Sequence, residues 1–536
     1  MRRTRILARL LFVVLIATQL SAAESSKAPK PPKPNRVQLT QNIDSIISEP
    51  DVSRGFWGIE VVSLKDGTVL YSTNADKLFT PASNTKLFTT AATLATIGPD
   101  YIFKTTIETN GLVDRYGRLN GDLFVVGRGD PNISGRAIPY YLRTERKEPA
   151  LRVLEDLADQ VVARGVKYID GDIVGDDSYF AFERYGEGWA QDDMVWEWGA
   201  PVSALTINDN VVYVSIFPAE RPGDKAFVQI SPYAEYYKID NRVMTTPGGT
   251  GPRRIYITRE PGSNQLTIFG NIPVDDTGAN EALAIEDPAD FAAQVFRNML
   301  EKRGVVVYGK PRTKHTELAS LSTFSVTTIA PAAAGDGEAR PKPPNPDSRL
   351  VLATYQSQPL VSDLKVINKV SQNLHAELML RLMGREKGNG GTIEAGLEVM
   401  RGFLAQAGIH SDEYIFFDGS GLSRQNLVTP HALVKLLQYV DSQPWGPKFE
   451  DTLPVAGLDG SLSERMRSTL SQGRVQAKTG SLGHVNSLSG FATTMSGDRV
   501  AFSIMANNHN LPSKRALETI DKIVTAIVEE GGKSPK

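Results

Sequence analysis

A serine and a lysine near position 85 have the spacing that a base-activated nucleophile requires. Ser83 and Lys86 stand in the segment PASNTK (81–86), three residues apart, so on a helix their side chains share one face. Between residues 78 and 99 Lys86 is the only charged residue, and the positions after it are apolar or small on every face. This pattern predicts a buried helix. Burial lowers the pKa of a lysine, as a general base for the Ser83 hydroxyl requires.

The same segment predicts where the helix begins and ends. Ser83 falls at the N-terminus, where unpaired backbone N–H groups favour a developing oxyanion, and Gly98 and Pro99 end the helix. The alternative is a capping serine beside an incidental lysine, because both residue types are common. The buried context makes the catalytic interpretation about as good as this alternative.

A second segment, SQN (371–373), comes just before another predicted helix. Leucines recur at every fourth position after it, which indicates one packed helical face. The Ser371 hydroxyl and the Asn373 amide could relay a proton and orient a substrate amide. The alternative is that Ser371 is a plain N-cap residue.

A third segment, KTGS (478–481), stands at the end of an alternating apolar and polar run that predicts a strand. Lys478 offers a positive charge, and Thr479 and Ser481 offer hydroxyls, which together suit a substrate carboxylate. We interpret Gly480 as a position where a missing side chain lets a ligand backbone lie against the strand. The alternative is an exposed strand end followed by a turn.

The two ends of the chain predict the scaffold that carries these segments. Alternating apolar residues indicate two strands near each terminus, with an Asp-Gly hairpin between the first two and a helix beside each pair. The predicted strands are 57–64, 68–72, 487–493 and 499–506, and the predicted helices are 39–47 and 517–528. We therefore expect one antiparallel sheet built from both termini.

The middle of the chain, roughly 102–350, differs from the two ends in its sequence pattern. Short strand-like runs separated by glycine and Asn/Asp turns predict β-rich accessory structure inserted between the two halves of the terminal sheet. A low-complexity stretch, 330–348, closes this block and is expected to be a surface loop or linker.

The first residues predict export. Four arginines precede an apolar run (10–20) that is too short to span a bilayer comfortably, and small residues follow at 21–23. We interpret 1–23 as a cleaved signal peptide and 24–36 as a Pro/Lys-rich tether, and we expect a periplasmic location. An uncleaved membrane anchor is the alternative.

Composition excludes several other classes of function. The 59 basic and 61 acidic residues nearly cancel, so no large positive field is available for nucleic acid. The chain has no cysteine, which excludes disulfides, thiolate catalysis and cysteine-ligated metals. The six histidines lack metal-ligand spacing, and we expect no metal and no cofactor.

Taken together, the three segments form an ordered signature. S-x-x-K, a Ser–Asn element and K-T-G, in this order, are typical of penicillin-binding proteins and class A β-lactamases. The 288 residues from Ser83 to Ser371 exceed what a β-lactamase has there. The chain resembles the class C low-molecular-mass penicillin-binding proteins, the D-Ala-D-Ala carboxypeptidase/endopeptidase family of the penicillin-binding-protein-four type. Further similar stretches are 129–131, 171–180, 199–210 and 418–424.

The resemblance implies an α+β fold. It consists of a β-lactamase/transpeptidase-like domain, an antiparallel sheet flanked by helices, with two β-rich domains inserted, one nested in the other. The implied limits are 37–101 and 350–530 for the catalytic domain, 102–205 and 286–349 for the inserted domain, and 206–285 for the nested small β domain. The Pro-rich stretch at 330–348 is extra relative to the family pattern and puts the boundary there in doubt.

The resemblance also implies the catalytic roles. Ser83 would be acylated, with Lys86 as its base. Ser371 would manage the proton and Asn373 the substrate amide. The backbone N–H groups of Ser83 and Ser481 would form the oxyanion hole.

The remaining implied roles concern binding. Lys478 and Thr479 would hold the terminal carboxylate of the substrate, with Gly480 and Ser481 beside it. The family more often has threonine where Ser481 stands, and this difference keeps the hydroxyl. Arg424 is a candidate contact for the outer end of the substrate.

The implied function is a serine-type D-Ala-D-Ala carboxypeptidase/endopeptidase that acts on peptidoglycan stem peptides. β-Lactam antibiotics would be covalent inhibitors, nucleic acid would not be a partner, and peripheral membrane association stays open. A β-lactamase-like hydrolase and a non-catalytic cell-wall binding protein are the alternatives. The sequence has no dedicated glutamate motif for fast deacylation, which disfavours the β-lactamase-like hydrolase. No motif residue is missing, which disfavours the non-catalytic binding protein.

Overall fold

The computed structural model describes residues 36–136, 149–318 and 349–530. Three predicted features lie outside these residues: the signal peptide, all but the last residue of the tether, and the whole of the low-complexity stretch 330–348. Within the described ranges, no helix has both the length and the apolar character that a membrane span requires.

A five-stranded antiparallel sheet joins the two ends of the chain, as predicted. In spatial order its strands are β2 (Val69–Thr73), β1 (Phe56–Ser63), β22 (Arg499–Asn507), β21 (Val485–Thr493) and β20 (Val475–Leu482). Nearly every residue of β1 and β22 is buried, because both faces of the sheet are covered by helices. β20 is an edge strand of this sheet, and on its outer side residues 454–456 bridge it at Val475, Gln476 and Ala477.

One face of this sheet is covered by the two terminal helices. α1 (Arg36–Ile47) and α10 (Ser513–Glu530) pack against each other and against the sheet. Leu39 and Ile43 of α1 share a buried cluster with Ile520 and Ile523 of α10. The helices predicted from the spacing of these apolar residues are confirmed, with starts a few residues earlier than expected.

The other face is covered by a helical layer that surrounds the predicted nucleophile helix. The helices are α2 (Thr85–Thr96), α5 (Leu360–Lys369), α6 (Asn373–Lys387), α7 (Ile393–Gln406), α8 (Pro430–Asp441) and α9 (Gly446–Glu450). α2 contacts α5, α6, α7 and α9, and all of its residues from Thr85 to Leu94 are buried. The predicted burial of this helix is confirmed. Two short strands, β18 (Tyr414–Ile415) and β19 (Leu427–Val428), pair beside it.

Two sheets form the part of the inserted block that lies outside residues 211–284. The larger has the order β16 (Pro311–Thr316), β8 (Ile173–Ala181), β6 (Leu123–Val126), β3 (Lys104–Thr109) and β17 (Leu350–Gln356). The smaller has the order β15 (Val306–Val307), β7 (Tyr168–Ile169), β5 (Arg118–Asn120) and β4 (Leu112–Val113). Two helices that the sequence analysis did not predict, α3 (Arg152–Ala163) and α4 (Pro288–Lys302), share a buried core with these sheets.

A second group of strands is nested within this block. β9 (Val211–Phe217) lies between β10 (Phe227–Ser231) and β14 (Ala279–Ala284). β13 (Gln265–Pro273) lies between β11 (Lys238–Thr246) and β12 (Arg254–Thr258). All six strands fall between residues 211 and 284.

The predicted start of the second catalytic segment, residue 350, disagrees with the observed strand pairing. The sequence analysis assigns residues from 350 onward to the catalytic domain, but β17 pairs along its length with β3 of the inserted block. A strand preceded by a low-complexity stretch carries no local sign of which sheet it joins, because strand pairing is decided by distant partners. The other domain limits stay predictions.

Candidate active site

Ser83 lies in a tight turn at the start of the buried helix. It is the middle residue of a short 3-10 helix, Ala82–Asn84, that continues directly into α2. Ala82 has a φ of +50°, a left-handed conformation that is uncommon for residues other than glycine. The first N–H groups of a helix have no intrahelical partner, so the backbone at Ser83 offers donors to an incoming group.

The turn before Ser83 is fixed to the central sheet. The Asn507 side chain binds both the N–H and the C=O of Thr80, at 2.7 and 3.2 Å. The Ser487 hydroxyl donates to the Pro81 carbonyl at 2.7 Å. A Cβ at Gly480 would lie 2.2 Å from Ser487 Oγ and 2.8 Å from the Pro81 oxygen, so only glycine lets β20 approach this turn. Gly480 therefore makes room for the chain itself, a reason that the sequence interpretation did not include.

Lys86 is completely buried, as predicted, and its amine has three close neighbours. Nζ lies 2.9 Å from Ser83 Oγ, 2.6 Å from Asn373 Oδ1 and 2.6 Å from the Ser420 carbonyl oxygen. The amide and carbonyl oxygens can only accept, so they take two N–H bonds of the amine. In the neutral amine, the remaining direction, which points at the Ser83 hydroxyl, is the lone pair.

The electrostatic surroundings of Lys86 favour this neutral form. Burial lowers its pKa to about 7, although the charges of Asp418 and Glu377 act in the opposite direction. Among the described residues, no carboxylate forms an ion pair with the Lys86 ammonium. A large fraction of the amine is therefore unprotonated at neutral pH, as the sequence analysis expects of a base.

The two carboxylates near Lys86 shape the loop that contacts it. Glu377 on α6 accepts hydrogen bonds from the Gly419 and Ser420 N–H groups at 2.9 and 2.8 Å and pairs with Arg381 at 3.0 Å. Asp418 accepts five further bonds, from Gly421 N at 2.8 Å, Ser423 N at 2.7 Å, Asn426 Nδ2 at 2.6 Å, Trp189 Nε1 at 2.9 Å and Ser420 Oγ at 3.2 Å. These bonds present the Ser420 carbonyl to Lys86.

Sequence reasoning missed the roles of Glu377 and Asp418. The stretch 418–424 serves in the sequence analysis only as a sign of resemblance, and Glu377 stands four residues after the SQN segment without an assigned role. The available signal was the cost of burying a charge in an apolar helix, the same argument that singled out Lys86. Gly421 has a φ of +81°, and a Cβ there would lie 1.9 Å from the Ala82 oxygen, so this loop also packs directly behind the nucleophile turn.

Ser371 faces the other lysine of the site. Its Oγ lies 2.8 Å from Lys478 Nζ, which also donates to the Thr479 carbonyl at 2.8 Å. Ser371 has a φ of +63°, and α6 is capped by Gln372, whose side chain accepts from the Leu374 N–H at 2.9 Å. The alternative interpretation of Ser371 as a plain N-cap is therefore wrong.

Lys478 is buried as completely as Lys86. Burial lowers its pKa well below the ordinary value, and the nearby charge of Lys86 lowers it further. A substrate carboxylate arriving beside it would favour the charged form again. Thr479 Oγ1 lies 2.7 Å from Ser461 Oγ, so a second hydroxyl accompanies the predicted carboxylate-binding residues.

An open cleft of about 960 Å³ brings most of the predicted residues together. Ser83, Ser371, Asn373, Ser481 and Arg424 line it. The two lysines lie behind its wall and reach it through the serine hydroxyls that they contact. The Arg424 side chain is exposed at the cleft and forms no ion pair with another described residue.

The inserted block supplies part of this cleft, which the sequence analysis did not foresee. Trp198 and Asp209 line it opposite the motif residues. The Asn373 side-chain N–H donates to the Trp198 carbonyl at 2.8 Å, which together with the Lys86 contact fixes the orientation of the Asn373 amide. The stretch 199–210 gave a signal only through its resemblance to the family.

The sequence is similar to a known protein family over most of its length. Residues 39–329 and 340–527 match the profile of the D-Ala-D-Ala carboxypeptidase 3 (S13) family. The unmatched residues, 330–339, fall in the Pro-rich stretch that the sequence analysis takes as extra. The D-alanyl-D-alanine carboxypeptidase of Actinomadura sp. (strain R39) is 33% identical over 506 residues, 92% of this chain and 85% of that protein.

A sequence and a crystal structure from Haemophilus influenzae extend the comparison. The D-alanyl-D-alanine carboxypeptidase DacB is 26% identical over 457 residues, 84% of this chain and 85% of that protein. The crystal structure of penicillin binding protein 4 (dacB) superposes with a TM-score of 0.74 at 23% identity, covering 92% of this chain and 99% of that chain. This structural likeness concerns the fold, and it confirms the predicted α+β class.

Proposed function

The chain belongs to the D-Ala-D-Ala carboxypeptidase 3 (S13) family, and from this premise we propose that Ser83 is the residue acylated during its reaction. The substrate is a peptidoglycan stem peptide that ends in D-Ala-D-Ala, and the bond broken is the one between the two D-Ala residues. The products are free D-Ala and the shortened peptide. The single observation that carries this proposal is the contact, at 2.9 Å, between the completely buried amine of Lys86 and the Ser83 hydroxyl.

The acylation step follows from the contacts of Ser83. Lys86 Nζ takes the hydroxyl proton while Oγ forms a bond to the carbonyl carbon of the penultimate D-Ala. The backbone N–H groups of Ser83 and Ser481 stabilise the resulting oxyanion. The C–N bond then breaks as the leaving amine takes the proton of the Ser371 hydroxyl, which hydrogen-bonds to Lys478. The proton that Lys86 removed from Ser83 is passed to Ser371, so that Ser371 and Lys86 both return to their starting forms.

Deacylation completes the cycle with the same groups. A water molecule replaces the departed D-Ala and loses a proton to the neutral Lys86 amine as its oxygen attacks the ester carbonyl. The bond between the acyl carbon and Ser83 Oγ then breaks, and the proton passes from Lys86 to Oγ, which restores the Ser83 hydroxyl. Endopeptidase action would break an equivalent amide in a crosslink, with the amino group of the neighbouring peptide as the leaving group.

The same proposal gives the binding residues their roles. The substrate carboxylate binds at Lys478 and Thr479, where two hydroxyls and a buried amine converge. The peptide backbone lies along the free edge of β20, beside Gly480 and Ser481. Arg424, exposed at the cleft, contacts the outer end of the substrate.

Mass spectrometry after incubation with benzylpenicillin tests the nucleophile. We expect one covalent adduct on the Ser83 peptide of the wild-type protein and none on Ser83→Ala. Ser487→Ala is the matched control, because it removes a buried hydroxyl that serves the turn and is expected to keep the adduct. A folded wild-type protein without an adduct, or with the adduct on another serine, would sink the proposal.

Digestion of defined muropeptides tests the reaction. Release of D-Ala from a pentapeptide and separation of a crosslinked dimer report carboxypeptidase and endopeptidase action respectively, and Ser83→Ala is expected to abolish both. Turnover of nitrocefin faster than D-Ala release would favour the β-lactamase alternative. Full function of Ser83→Ala would favour the binding-protein alternative.

We further propose that the protein is exported and works in the periplasm. The arginine-rich start, the short apolar run and the small residues at 21–23 support a signal peptide. N-terminal sequencing of the mature protein is expected to begin near residue 24. A mature protein that retains residue 2 and sediments with membranes would support the uncleaved anchor instead.

A further inference from the structure

We propose that the inserted block completes the catalytic centre, with Asp209 as the positioning residue that holds the segment 371–373 in its working geometry. The inference rests on the proposed function, because it assumes that the hydroxyl of Ser371 and the amide of Asn373 act in acylation. On this proposal, the inserted block takes part in the reaction through the contacts of one buried carboxylate, that of Asp209.

The Asp209 carboxylate joins the inserted block to the segment before α6. It is only 1% exposed. Its Oδ2 accepts from Gln372 Nε2 at 3.0 Å and forms an ion pair with Arg136, and its Oδ1 lies 3.1 Å from His375 Nε2. A carboxylate can only accept, so all three neighbours donate to it. Two of these donors flank the start of α6, one on each side of Asn373.

The backbone around Asp209 fixes the direction of this carboxylate. Asn208, Asp209 and Asn210 all have positive φ angles, of 52°, 56° and 53°. Asn210 holds this conformation by accepting from the Ile207 N–H at 3.0 Å and by donating to the Pro201 carbonyl at 2.9 Å. Three consecutive left-handed residues persist only where the surroundings impose them, and such strain is concentrated at functional sites.

The segment that Asp209 holds is itself strained. Ser371 has a φ of +63°, which a serine does not favour in isolation. On one side of it, Lys369 forms an ion pair with Asp459 at 2.6 Å within the catalytic helical layer. On the other side, Gln372 is held by Asp209. The strained serine is thus fixed from both flanks, and one flank depends on the inserted block.

Loss of the Asp209 contact has a specific consequence. Gln372 would keep its cap on the Leu374 N–H but lose its tie to the inserted block, and Ser371 would be free to relax from the left-handed region. The Ser371 hydroxyl would then leave Lys478, 2.8 Å away in this structure. A misplacement of about 1 Å at a reacting group costs on the order of 100-fold in rate.

The test compares Asp209→Asn with a matched variant of the same type. Asp176→Asn also removes the charge of a buried aspartate paired with an arginine in the inserted block, since Asp176 is 3% exposed and lies 2.9 Å from Arg349. Asp176 does not line the cleft. We expect both variants to lose stability, but only Asp209→Asn to slow the acylation of Ser83 by penicillin, by roughly 10- to 100-fold. For the peptide substrate, kcat should fall by a similar factor while KM changes less than about 3-fold.

A compensating pair separates positioning from general damage. Gln372→Glu alone places a second carboxylate against Asp209 and should slow acylation at least as much as Asp209→Asn does. In the double variant D209N/Q372E the amide and the carboxylate exchange places, and the hydrogen bond can form again. We expect acylation by the double variant to be several-fold faster than by Gln372→Glu alone.

The outcomes divide cleanly. Faster acylation by the double variant, with a wild-type rate in Asp176→Asn, supports the proposal even if Asp209→Asn proves unstable. A wild-type acylation rate in folded Asp209→Asn, or equal slowing in both aspartate variants, overturns it. In either case the wild-type adduct on Ser83 is measured in the same assay. A failure of the proposed function would appear there and not in the variants.

Discussion

Lys86 and His315 are two basic side chains near carboxylates, the first buried and the second half-buried, and their pKa values move in opposite directions. The pKa of Lys86 falls to about 7. Burial also lowers the pKa of His315, but hydrogen bonds to Asp177 and Asp287 outweigh it and raise the value to about 10. One group lies behind the cleft and the other within the inserted block.

The difference lies in what the carboxylates touch. Asp177 Oδ1 is 2.7 Å from His315 Nδ1, and Asp287 Oδ2 is 3.4 Å from Nε2, so the imidazolium is paired on both sides. Near Lys86, by contrast, the oxygens of Asp418 and Glu377 accept hydrogen bonds from backbone N–H groups and from the side chains of Asn426, Trp189 and Arg381. They influence the ammonium only at a distance.

The protein thus makes a base of Lys86 and a fixed positive charge of His315, because the two side chains differ in their contacts with carboxylates. Burial without contact to a carboxylate favours the neutral amine of Lys86, whereas contact with two carboxylates favours the charged ring of His315. The first arrangement is suited to proton transfer and the second to holding strands together. His315 on β16 joins β8 and the start of α4 through its two aspartates.

The largest effect should come from removing the base itself. Lys86→Met keeps an apolar side chain of similar length in the pocket and is expected to slow acylation of Ser83 by about 10³- to 10⁴-fold, the upper range for a general base. Stopped-flow measurement with a fluorescent penicillin gives the rate. An acylation rate within about tenfold of wild type would remove Lys86 from the role of base and break the comparison.

The next effect concerns Ser371, where backbone and hydroxyl can be separated. Ser371→Ala and Ser371→Gly both remove the hydroxyl, but only glycine tolerates a φ of +63° without strain. We expect both to slow acylation by roughly 100-fold, as loss of a proton relay predicts, with the glycine variant the more stable of the two in thermal denaturation. If the glycine variant acylated at the wild-type rate, the hydroxyl would have no part in the reaction.

The pH dependence of acylation gives a smaller effect on the wild-type protein. Because the reactive form of Lys86 is the neutral amine and its pKa is about 7, the rate constant should be nearly constant above pH 8. It should fall about tenfold for each unit below pH 6. His315→Gln should leave this limb where it is. A profile that is flat between pH 5 and pH 8 would contradict the assignment.

The sequence predicted the scaffold and the motif segments because their signals are local. The terminal sheet follows from period-two alternation near each end, and the burial of Lys86 follows from the apolar composition of α2. The resemblance to the D-Ala-D-Ala carboxypeptidase/endopeptidase family is confirmed by the family match. The roles assigned to the individual site residues stay predictions.

The parts that were missed depend on distant pairing. Nothing near Glu377 in the sequence indicates that its oxygens would shape the loop beside Lys86, since the backbone donors Gly419 and Ser420 stand 42 and 43 residues further along the chain. Asp209 meets Gln372 across 163 residues of chain. α3 and α4 were not predicted, because each is a single amphipathic helix that stands among many short strand-like runs of the middle block.

The smallest effect on catalysis should come from His315, the other half of the comparison. His315→Gln removes a charge that contacts two carboxylates, and we expect it to lower the free energy of unfolding by about 2 kcal/mol at pH 6, with acylation unchanged. The folded-state pKa lies above the ordinary value of 6.5, so this stability is complete below about pH 6.5 and is lost as pH rises toward 10. Urea denaturation of both proteins at pH 6 and pH 9 measures the difference. A gap that stays constant or widens at pH 9 would mean that the imidazolium does not hold the inserted block together. Contact with carboxylates would then not be what distinguishes His315 from Lys86.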